Sequence, residues 1–544
     1  MPDRVDLTIE GMHCDGCEIT VSTALERVGL TDVEVDWRRG KVSGKPSSDF
    51  TFDDAVASID QVGYRLVEEK AAALSETSVE ADYDLLVIGA GSAAFAAAIK
   101  ARDLGAHVAL IERHTVGGTC VNVGCVPSKA VLRPSEIYWA AAHHPFTGIS
   151  TRADSVDMKN LVAQKDELVE LLRKEKYTDL ADHYEFDIIH CQARFTGPDT
   201  IDIDGKPTTA GQFLIATGAE PWVPPIDGLE GIEYLTSTTA LDMTELPEEL
   251  IVVGANAIGL ELGQYFLNLG SRVTFIEVLE RIAPFEEDEI SETLHAHLEA
   301  QGARILAGAT VESVGSENGR VWLEVENGGI VERIAADRLL MATGRRAQTE
   351  GLGLAEAGVE TDQRGHVVVD SQMRTSNPRI WAAGDVTSHP QFVYVAALGG
   401  SIAAENALRG AGREIDFRTM PRVTFTSPSV ASVGLTEQEA REAGRPVVTS
   451  VLPLKVVPRA LVNRETTGLI KMVADESTGE LLGVHILAEG AGDVIQAAVM
   501  ALKYRATVDE VAETYHPYLT MAEGLKLAAQ AFQKDVEYLS CCAS

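Results

Sequence analysis

The chain has 544 residues, 45% of them hydrophobic and 24% charged, and at roughly 150 residues per domain this globular composition predicts three or four domains. With 82 acidic and 46 basic residues the formal net charge is −36, which disfavours nucleic acid and anionic membrane surfaces as partners. The acidity fits adaptation to high salt and a merely very soluble protein equally well. No uncharged apolar run is long enough to span a membrane, and residues 1–10 lack the pattern of a secretory signal, so we expect a cytoplasmic protein without membrane insertion.

Residues 1–67 have the pattern of a small domain of the order βαββαβ. Alternating residues predict strands at 5–9, 33–37, 41–43 and 64–67, and helical spacing predicts helices at 18–28 and 52–61. Cys14 and Cys17 form a C-x-x-C motif on the loop that enters the first helix. Two close thiolates suit a soft cation such as Hg(II) or Cu(I), and the alternatives are a thioredoxin-like redox pair or two incidental cysteines. Residues 68–81, rich in Ala, Ser, Thr and Glu, predict a linker.

Two dinucleotide-binding fingerprints follow. A buried-strand run at 83–88 ends in Gly89-Ala-Gly91-Ser-Ala-Ala94 and leads through an Ala-rich helix to a strand that ends at Glu112. The second copy begins at 250–253 and runs through Gly254-Ala-Asn256-Ala-Ile-Gly259 to Glu277, and in both copies the acid lies 23 residues after the first glycine. Such a loop brings backbone N–H groups against a pyrophosphate, and the acid can accept hydrogen bonds from a ribose. Asn256 departs from the pattern, and we expect its side chain to crowd the pyrophosphate.

Two cysteines lie between the fingerprints, in the segment Gly117-Gly118-Thr119-Cys120-Val-Asn-Val-Gly-Cys125-Val-Pro-Ser-Lys129. They are separated by four residues and stand where a helix is expected to begin. Because a helix N-terminus favours the thiolate, one of the pair should have a lowered pKa. This predicts a redox-active pair, and the alternatives are a buried structural pair or half of a zinc site.

The part of the chain from residue 418 onward has no glycine fingerprint. Strands such as 468–473 and helices such as 493–503 predict an α+β interface domain. The chain ends with the vicinal pair Cys541-Cys542, which can hold one soft ion and pass it on, the alternative being a frayed tail with accidental cysteines. Cys191 has no paired thiol in the sequence and is expected to be a buried apolar residue, and Tyr177 is expected to serve ordinary packing.

The segment 117–129, together with the fingerprint order, resembles the flavin disulfide oxidoreductases, the superfamily of glutathione reductase and dihydrolipoamide dehydrogenase. The resemblance covers about 82–544 and implies an overall α/β fold with two Rossmann-like domains: FAD-binding, 82–231; NAD(P)-binding, 232–348; central FAD-binding, 349–417; and an α+β dimerisation domain, 418–544. It implies that Cys125 is the thiolate beside the flavin and Cys120 the outer thiol. It implies that FAD is held by Gly89, Gly91, Ala94, Glu112, Gly118, Thr119, Lys129, Ala193, Thr217, Gly218, Asp385 and Val393, with Asp385 at the ribityl chain.

The N-terminal domain resembles the ferredoxin-like heavy-metal-associated domains, and with the flavin-linked dithiol and the Cys-Cys tail the chain resembles the mercuric reductase family. That resemblance implies a homodimer that reduces Hg(II) to Hg(0) with NADH or NADPH, bound at Gly254, Gly259 and Glu277. It implies that Cys14 and Cys17 take Hg(II) from its thiol complexes and that Cys541 and Cys542 deliver the ion to the inner pair.

Two features separate the members of this superfamily. In Tyr515-His516-Pro517-Tyr518, the Pro-Tyr resembles the mercuric reductase segment whose Tyr lies near the metal. His516 instead fits the dithiol enzymes. Those enzymes have a Glu five positions after the His, but here that position is Met521 and the nearest Glu is Glu523. A dihydrolipoamide-dehydrogenase-like enzyme is therefore the alternative, and a metal carrier whose flavin core no longer turns over is a third possibility. Mercuric reductases generally favour NADPH, but an acid at Glu277 repels a 2′-phosphate, so we predict that NADH is used at least as well.

Overall fold

The computed structural model describes residues 5–10, 15–37, 40–47, 50–67, 81–535 and 538. They belong to two compact units, Met1–Glu80 and Ala81–Ser544. Cys14, Cys541, Cys542 and all but the last residue of the predicted linker lie outside the described residues.

The first unit is an antiparallel four-stranded sheet with two helices. Its elements are β1 (Val5–Glu10), α1 (Asp15–Glu26), β2 (Leu30–Asp36), β3 (Lys41–Pro46), α2 (Phe52–Gln61) and β4 (Arg65–Val67). The strand order β2-β3-β1-β4 confirms the predicted βαββαβ pattern. Alternate strand residues such as Leu7 and Ile9 meet Val21, Leu25 and Ile59 of the helices in a buried core.

The second unit begins with two nucleotide-binding halves. The first half contains β5 (Tyr83–Ile88), α3 (Ser92–Asp103), β6 (Val108–Glu112), α4 (Gly118–Asn122), α5 (Cys125–His143), α6 (Met158–Arg173), α7 (Asp179–Tyr184), β7 (Asp187–His190), β8 (Ala193–Gly197), β9 (Thr200–Ile203) and β10 (Lys206–Ile215). The second half and its connections contain β11 (Ala219–Pro221), β12 (Glu249–Val253), α8 (Ala257–Leu269), β13 (Arg272–Glu277), α9 (Asp288–Ala300), β14 (Arg304–Ala307), β15 (Ala309–Glu317), β16 (Arg320–Asn327), β17 (Ile330–Ala336), β18 (Arg338–Met341), β19 (Arg345–Ala347) and β20 (Ile380–Ala382). Between α6 and α7 the chain forms a π-helical turn, Lys174–Thr178.

Each half is organised around a parallel sheet. In the first, β7, β6, β5, β10 and β20 are parallel neighbours, and β9 and β8 extend β10 antiparallel. In the second, the order is β14-β13-β12-β18, beside an antiparallel sheet of β15, β16 and β17 and a small pairing of β11 with β19. Central strands such as β5 are buried on both faces, which explains their continuous apolar sequence. Both sheets place the loops that follow β5 and β12 at the carboxyl ends of their strands, where nucleotides bind.

The rest of the unit is a helix that packs on the first half and an α+β region. The elements are α10 (Val393–Arg409), β21 (Pro421–Thr424), β22 (Ser429–Gly434), α11 (Glu437–Glu442), β23 (Val447–Pro453), α12 (Pro458–Asn463), β24 (Leu469–Asp475), β25 (Leu481–Ala488), α13 (Ala491–Lys503), α14 (Val508–Glu513) and α15 (Glu523–Gln530). The five strands form an antiparallel sheet of the order β21-β22-β25-β24-β23. The α+β architecture expected after residue 418 is therefore confirmed.

A buried ion cluster joins the second nucleotide-binding half to this antiparallel sheet. The Nζ of Lys471, on β24, is 3% exposed at the side chain and lies 2.9 Å from carboxylate oxygens of Glu287 and Glu289 and 3.0 Å from one of Glu437. The adjacent His485, on β25, is fully buried, and burial lowers its pKa. Because a buried ammonium is stable only while it is paired, these contacts hold the two regions together. None of the described helices has the length and apolar character that a membrane span requires.

Candidate active site

The first glycine loop, between β5 and α3, is built by close approaches of bare backbone. Gly89 has φ +115°, and a Cβ there would lie 2.3 Å from the carbonyl oxygen of Ala216. Gly91 packs against Gly118, and a Cβ on Gly118 would lie 2.7 Å from the Gly91 Cα, so this close approach requires a glycine at position 118. Ala94 is buried beneath the loop. Gly91 is the N-cap of α3, and no side chain caps this helix N-terminus, which suits the binding of a pyrophosphate.

A cavity adjoins this loop at the carboxyl ends of β5 and β6. Glu112, at the end of β6, accepts hydrogen bonds from the backbone N–H groups of Ala90 at 3.0 Å and His114 at 2.7 Å. The lining includes Gly89, Glu112, Cys191, Ala193 and Thr217. Cys191 is 8% exposed, as the sequence led us to expect, and it also faces the cavity. The predicted contacts Glu112, Ala193 and Thr217 are thus brought together.

The other predicted flavin contacts lie on separate elements. Asp385 follows β20, and burial raises the pKa of its carboxyl group while the charge of Arg345 opposes the rise. Val393 is the first residue of α10, so the positive end of that helix dipole lies at this position. Arg345 is half-buried and donates hydrogen bonds to the Ala219 carbonyl and, at 3.4 Å, to the Thr119 hydroxyl. Arg345 was not predicted from the sequence, although it directly follows Ala342-Thr343-Gly344, a segment that resembles Ala216-Thr217-Gly218 after β10.

Lys129 belongs to a partly buried ion pair that was not predicted from the sequence. Its Nζ donates to Glu261 Oε2 at 2.7 Å and lies 4.5 Å from the centroid of the Phe425 ring. The second oxygen of Glu261 accepts the Phe425 backbone N–H at 2.8 Å. Glu261 is a buried acid within the apolar helix α8, and that charge in an apolar sequence was the available signal.

Cys120 and Cys125 form a thiol pair in which the two members differ. Cys120 lies in the short helix α4, and Cys125 is the first residue of α5, after Gly124. Both are free thiols, and a hydrogen bond from Cys120 lowers the pKa of Cys125 to about 7, with help from the positive charge of Lys129 and against the opposing effect of burial. The same hydrogen bond raises the pKa of Cys120. Cys125 is therefore the member of the pair that ionises first, and Cys120 is the thiol that stabilises its thiolate.

Tyr177 lies close to this thiol pair, although the sequence suggested ordinary packing for it. It sits in the π-helical turn, packs edge-on against Phe95, and brings its hydroxyl within 3.4 Å of the Ser92 Oγ. Burial raises the pKa of its phenol, and the negative charges of the two cysteines add to that rise. This placement could not be predicted from the sequence, since a π-helical turn has no periodicity that distinguishes it from an α-helix.

The second glycine loop repeats the geometry of the first. Gly254 has φ +97°, and a Cβ there would lie 2.4 Å from the Ala342 carbonyl oxygen. A Cβ on Gly259 would lie 1.8 Å from the Gly254 carbonyl oxygen. Asn256 is exposed at φ −103° and ψ −170°, close to the −91° and −168° of Gly91, so its side chain is accommodated without backbone strain.

Glu277 closes the second loop as Glu112 closes the first. Its carboxylate is 6% exposed and accepts hydrogen bonds from the backbone N–H groups of Ala255 at 2.7 Å and Leu279 at 3.0 Å. The acid at the end of the second strand is therefore fixed against the glycine loop. This arrangement leaves the remaining lone pairs of the carboxylate available for a ribose.

The predicted metal-binding cysteines are only partly described. Cys17 lies in α1 and is buried, whereas Cys14, Cys541 and Cys542 lie outside the described residues. Within the described ranges, no three His, Cys, Asp or Glu side chains are grouped as a metal site.

The loop between α14 and α15 carries the predicted Tyr518. Tyr518 is 62% exposed and Tyr515 fully exposed, and His516 is half-buried with its Nδ1 3.0 Å from the Thr514 carbonyl oxygen. Glu523 is buried as the first residue of α15. The exposed tyrosines of this loop are free, within the described part of the chain, to meet another molecule.

Comparison with protein families matches most of the second unit. Residues 83–400 match the pyridine nucleotide-disulphide oxidoreductase family, and residues 420–529 match the pyridine nucleotide-disulphide oxidoreductase dimerisation domain. Among curated proteins, the chain is 49% identical to the mercuric reductase of Lysinibacillus sphaericus over 99% of this chain and 100% of that protein. It is 50% identical to that of Staphylococcus aureus over 99% and 98%, and 51% identical to that of Streptomyces lividans over 85% and 98%.

Solved structures give the same fold. The HOCl-induced flavoprotein disulfide reductase RclA of Escherichia coli aligns with a TM-score of 0.74 and 30% identity, over 82% of this chain and 99% of that one. LpdA of Mycobacterium tuberculosis aligns with a TM-score of 0.74 and 27% identity, over 83% and 100%.

Proposed function

This chain belongs to the mercuric reductases of the pyridine nucleotide-disulphide oxidoreductase family, and on that premise we propose that it reduces Hg(II) to Hg(0) with the two electrons of NAD(P)H. The net reaction converts Hg(II) and NAD(P)H into Hg(0), NAD(P)⁺ and a proton. The observation that carries the proposal is the Cys120–Cys125 pair, in which a hydrogen bond from Cys120 lowers the pKa of Cys125 to about 7. Hg(II) prefers sulfur ligands, so a thiolate beside a second thiol provides the ligand set that the substrate needs.

We assign residues 82–231 and 349–417 to FAD binding, 232–348 to NAD(P) binding and 418–544 to dimerisation. Bound FAD would supply the two-electron relay between the nicotinamide and the substrate. Its adenosine and pyrophosphate would be held by Gly89, Gly91, Ala94, Gly118 and Glu112, and its ribityl chain by the half-buried Asp385. Thr119, Lys129, Ala193, Thr217, Gly218 and Val393 complete the assigned contacts.

The chain's own groups would do three things to the substrate. Cys125 keeps a thiolate next to the flavin position, and Lys129 stabilises that charge. Cys120, whose pKa is raised, accepts incoming Hg(II) as it loses its proton, so that the two sulfurs hold the ion together. Once the ion is reduced to Hg(0), it no longer binds thiolate and leaves.

Delivery of the ion is assigned to the remaining cysteine pairs. Cys14 and Cys17 would take Hg(II) from its thiol complexes, and Cys541 and Cys542 would pass it to the inner pair. The dimerisation-domain match supports a homodimer, in which the exposed Tyr518 of one copy would face the metal held by the other. We place the enzyme in the cytoplasm, where NAD(P)H and reduced thiols are present.

The test is an anaerobic titration of the FAD-loaded protein with NAD(P)H and Hg(II) in excess thiol, following flavin absorbance and mercury vapour. We expect Hg(II)-dependent oxidation of the nucleotide and release of Hg(0), both abolished in Cys125→Ser. The lipoamide-reducing alternative is not favoured, because the similar curated proteins over the whole chain are mercuric reductases. Turnover of lipoamide or glutathione disulfide without mercury release would favour the disulfide-reducing alternative and refute the proposal.

A further inference from the structure

We propose that Glu277 and the segment after it select NADH over NADPH as the electron donor. This inference deepens the proposed function, on which it rests, by naming the nucleotide that enters at the second glycine loop.

The two glycine loops have matching hydrogen bonds. Glu112 Oε2 and Glu277 Oε2 each accept the N–H of the residue after the first glycine, from Ala90 at 3.0 Å and from Ala255 at 2.7 Å. Each Oε1 accepts the N–H two residues after the acid, at 2.7 Å and 3.0 Å. The first glycine of each loop donates to the last strand residue before the acid at 2.8 Å. The two carboxylates are therefore presented to their ligands in the same way.

The FAD assigned to the first loop indicates which kind of nucleotide this geometry suits. FAD has a free 2′-hydroxyl on its adenosine ribose, and a carboxylate at this position accepts a hydrogen bond from such a hydroxyl. Because the second loop copies the first, it is built for a nucleotide with the same free hydroxyl. NADH has that hydroxyl, whereas NADPH replaces it with a phosphate.

The residues after Glu277 offer a 2′-phosphate no available cation. Val278 and Leu279 are 64% and 45% exposed apolar residues, and Glu280 is an exposed acid. Arg281 is the nearby cation, and its guanidinium is paired with Asp288 and donates to the backbone carbonyls of residues 284 and 286 at 3.1 and 2.9 Å.

A phosphate at this point would therefore be repelled rather than bound. It would lie against the 6%-exposed carboxylate of Glu277 with its own hydration removed. Recognition of a 2′-phosphate normally depends on an arginine that is free to form paired hydrogen bonds, and Arg281 would first have to leave Asp288. Selection of NADH thus follows from two features together. Glu277 can accept a hydrogen bond from the ribose 2′-hydroxyl, and Arg281 is already paired with Asp288.

The experiment measures binding without redox chemistry. ADP-ribose and 2′-phospho-ADP-ribose, the adenosine portions of the two donors, are titrated into the FAD-loaded protein by isothermal calorimetry. We expect a dissociation constant at least about tenfold lower for ADP-ribose. In Glu277→Gln the ratio should fall to within about threefold, since the neutral side chain no longer repels the phosphate.

Two further variants make the test independent of loop damage. Val278→Arg places a cation beside the ribose position on an exposed residue, so it should lower the ratio by improving 2′-phospho-ADP-ribose binding while the loop stays intact. Glu292→Gln, which removes an exposed acid of α9, is the matched control and should leave the ratio unchanged.

The outcomes separate this inference from the proposed function. Equal affinities, a preference for 2′-phospho-ADP-ribose, binding of neither ligand, or a ratio that neither Glu277→Gln nor Val278→Arg alters would overturn the inference. Selective binding of ADP-ribose by a protein that releases no mercury vapour would refute the proposed reaction and support the nucleotide choice. Mercury turnover that accepts both donors with equal Michaelis constants would support the proposed reaction and refute the nucleotide choice.

Discussion

Replacing Cys120 by alanine should raise the pKa of the Cys125 thiol. The hydrogen bond from Cys120 is the largest influence that lowers this pKa to about 7, ahead of the charge of Lys129. A hydrogen bond to a charged group is worth about 1.5–3 kcal/mol, and one pKa unit corresponds to about 1.4 kcal/mol. The loss of the donor should therefore move the pKa of Cys125 upward by about one to two units, to about 8–9.

The consequence is a change in how much thiolate exists at neutral pH. With a pKa of about 7, about half of Cys125 is ionised at pH 7. After a shift of one to two units, the ionised fraction falls to roughly 1–10%. Because the thiolate is both the nucleophile and the metal ligand, the pH dependence of both activities should move to higher pH by the same amount.

The assay is the pH profile of iodoacetamide labelling, with the Cys125 peptide quantified by mass spectrometry in the reduced, FAD-loaded protein. The midpoint, rather than the rate at one pH, is the quantity to compare, since a more basic thiolate is also more nucleophilic. Cys120→Ser is the matched variant: its hydroxyl can still donate, so its midpoint should stay nearer to the wild-type value. An unchanged midpoint in Cys120→Ala, or an equal shift in both variants, would refute the reasoning.

Three further predictions concern other parts of the molecule. Gly259→Ala places a Cβ 1.8 Å from a carbonyl oxygen of its own loop, so ADP-ribose affinity should fall by at least about tenfold while the flavin spectrum is retained. Glu261→Gln leaves the partly buried Lys129 ammonium without its counter-charge and should lower the free energy of unfolding by about 1–3 kcal/mol in urea denaturation. Removal of the residues after Ser540, including Cys541 and Cys542, should reduce mercury turnover by about tenfold or more without changing the flavin spectrum.

Each of these has a control that the chain provides. Gly231→Ala meets no atom within 4 Å and should leave nucleotide binding intact, so equal losses in both glycine variants would argue against a local clash. Arg133→Gln breaks an exposed pair with Glu136 and should change stability by at most about 0.5 kcal/mol. Ser540→Ala should turn over mercury normally. Normal turnover by the truncated protein would show that the tail has no part in delivery.

Local sequence was sufficient for the parts of the fold that depend on short-range pattern. The strand, glycine loop, helix and acid of each nucleotide-binding half follow one another within about thirty residues, and the structure has both halves as the pattern indicated. The βαββαβ order of the first unit was predictable for the same reason, because each element has a clear period of its own. The inner thiol pair was predictable from Gly-rich flanks and a helix start, although the division of roles between its members came from the resemblance.

The residues that escaped the sequence analysis act over long separations or through unusual backbone. Lys129 and Glu261 are 132 positions apart, so nothing in either local sequence identifies the other as its partner. Arg345 reaches Thr119 across 226 positions. Tyr177 is oriented by a π-helical turn, which shifts a side chain without leaving a mark on hydrophobic periodicity.

The Lys471 cluster has a consequence for how the larger unit comes apart on heating. Lys471 belongs to the antiparallel sheet, whereas Glu287 and Glu289 belong to the nucleotide-binding half. If one region melted alone, the buried ammonium of Lys471 or the buried carboxylate of Glu287 would be left without its partner, at a cost of several kcal/mol. The Lys471 cluster therefore couples the unfolding of the two regions. The donor-binding crevice should persist until both regions unfold together in a single heat-absorbing transition.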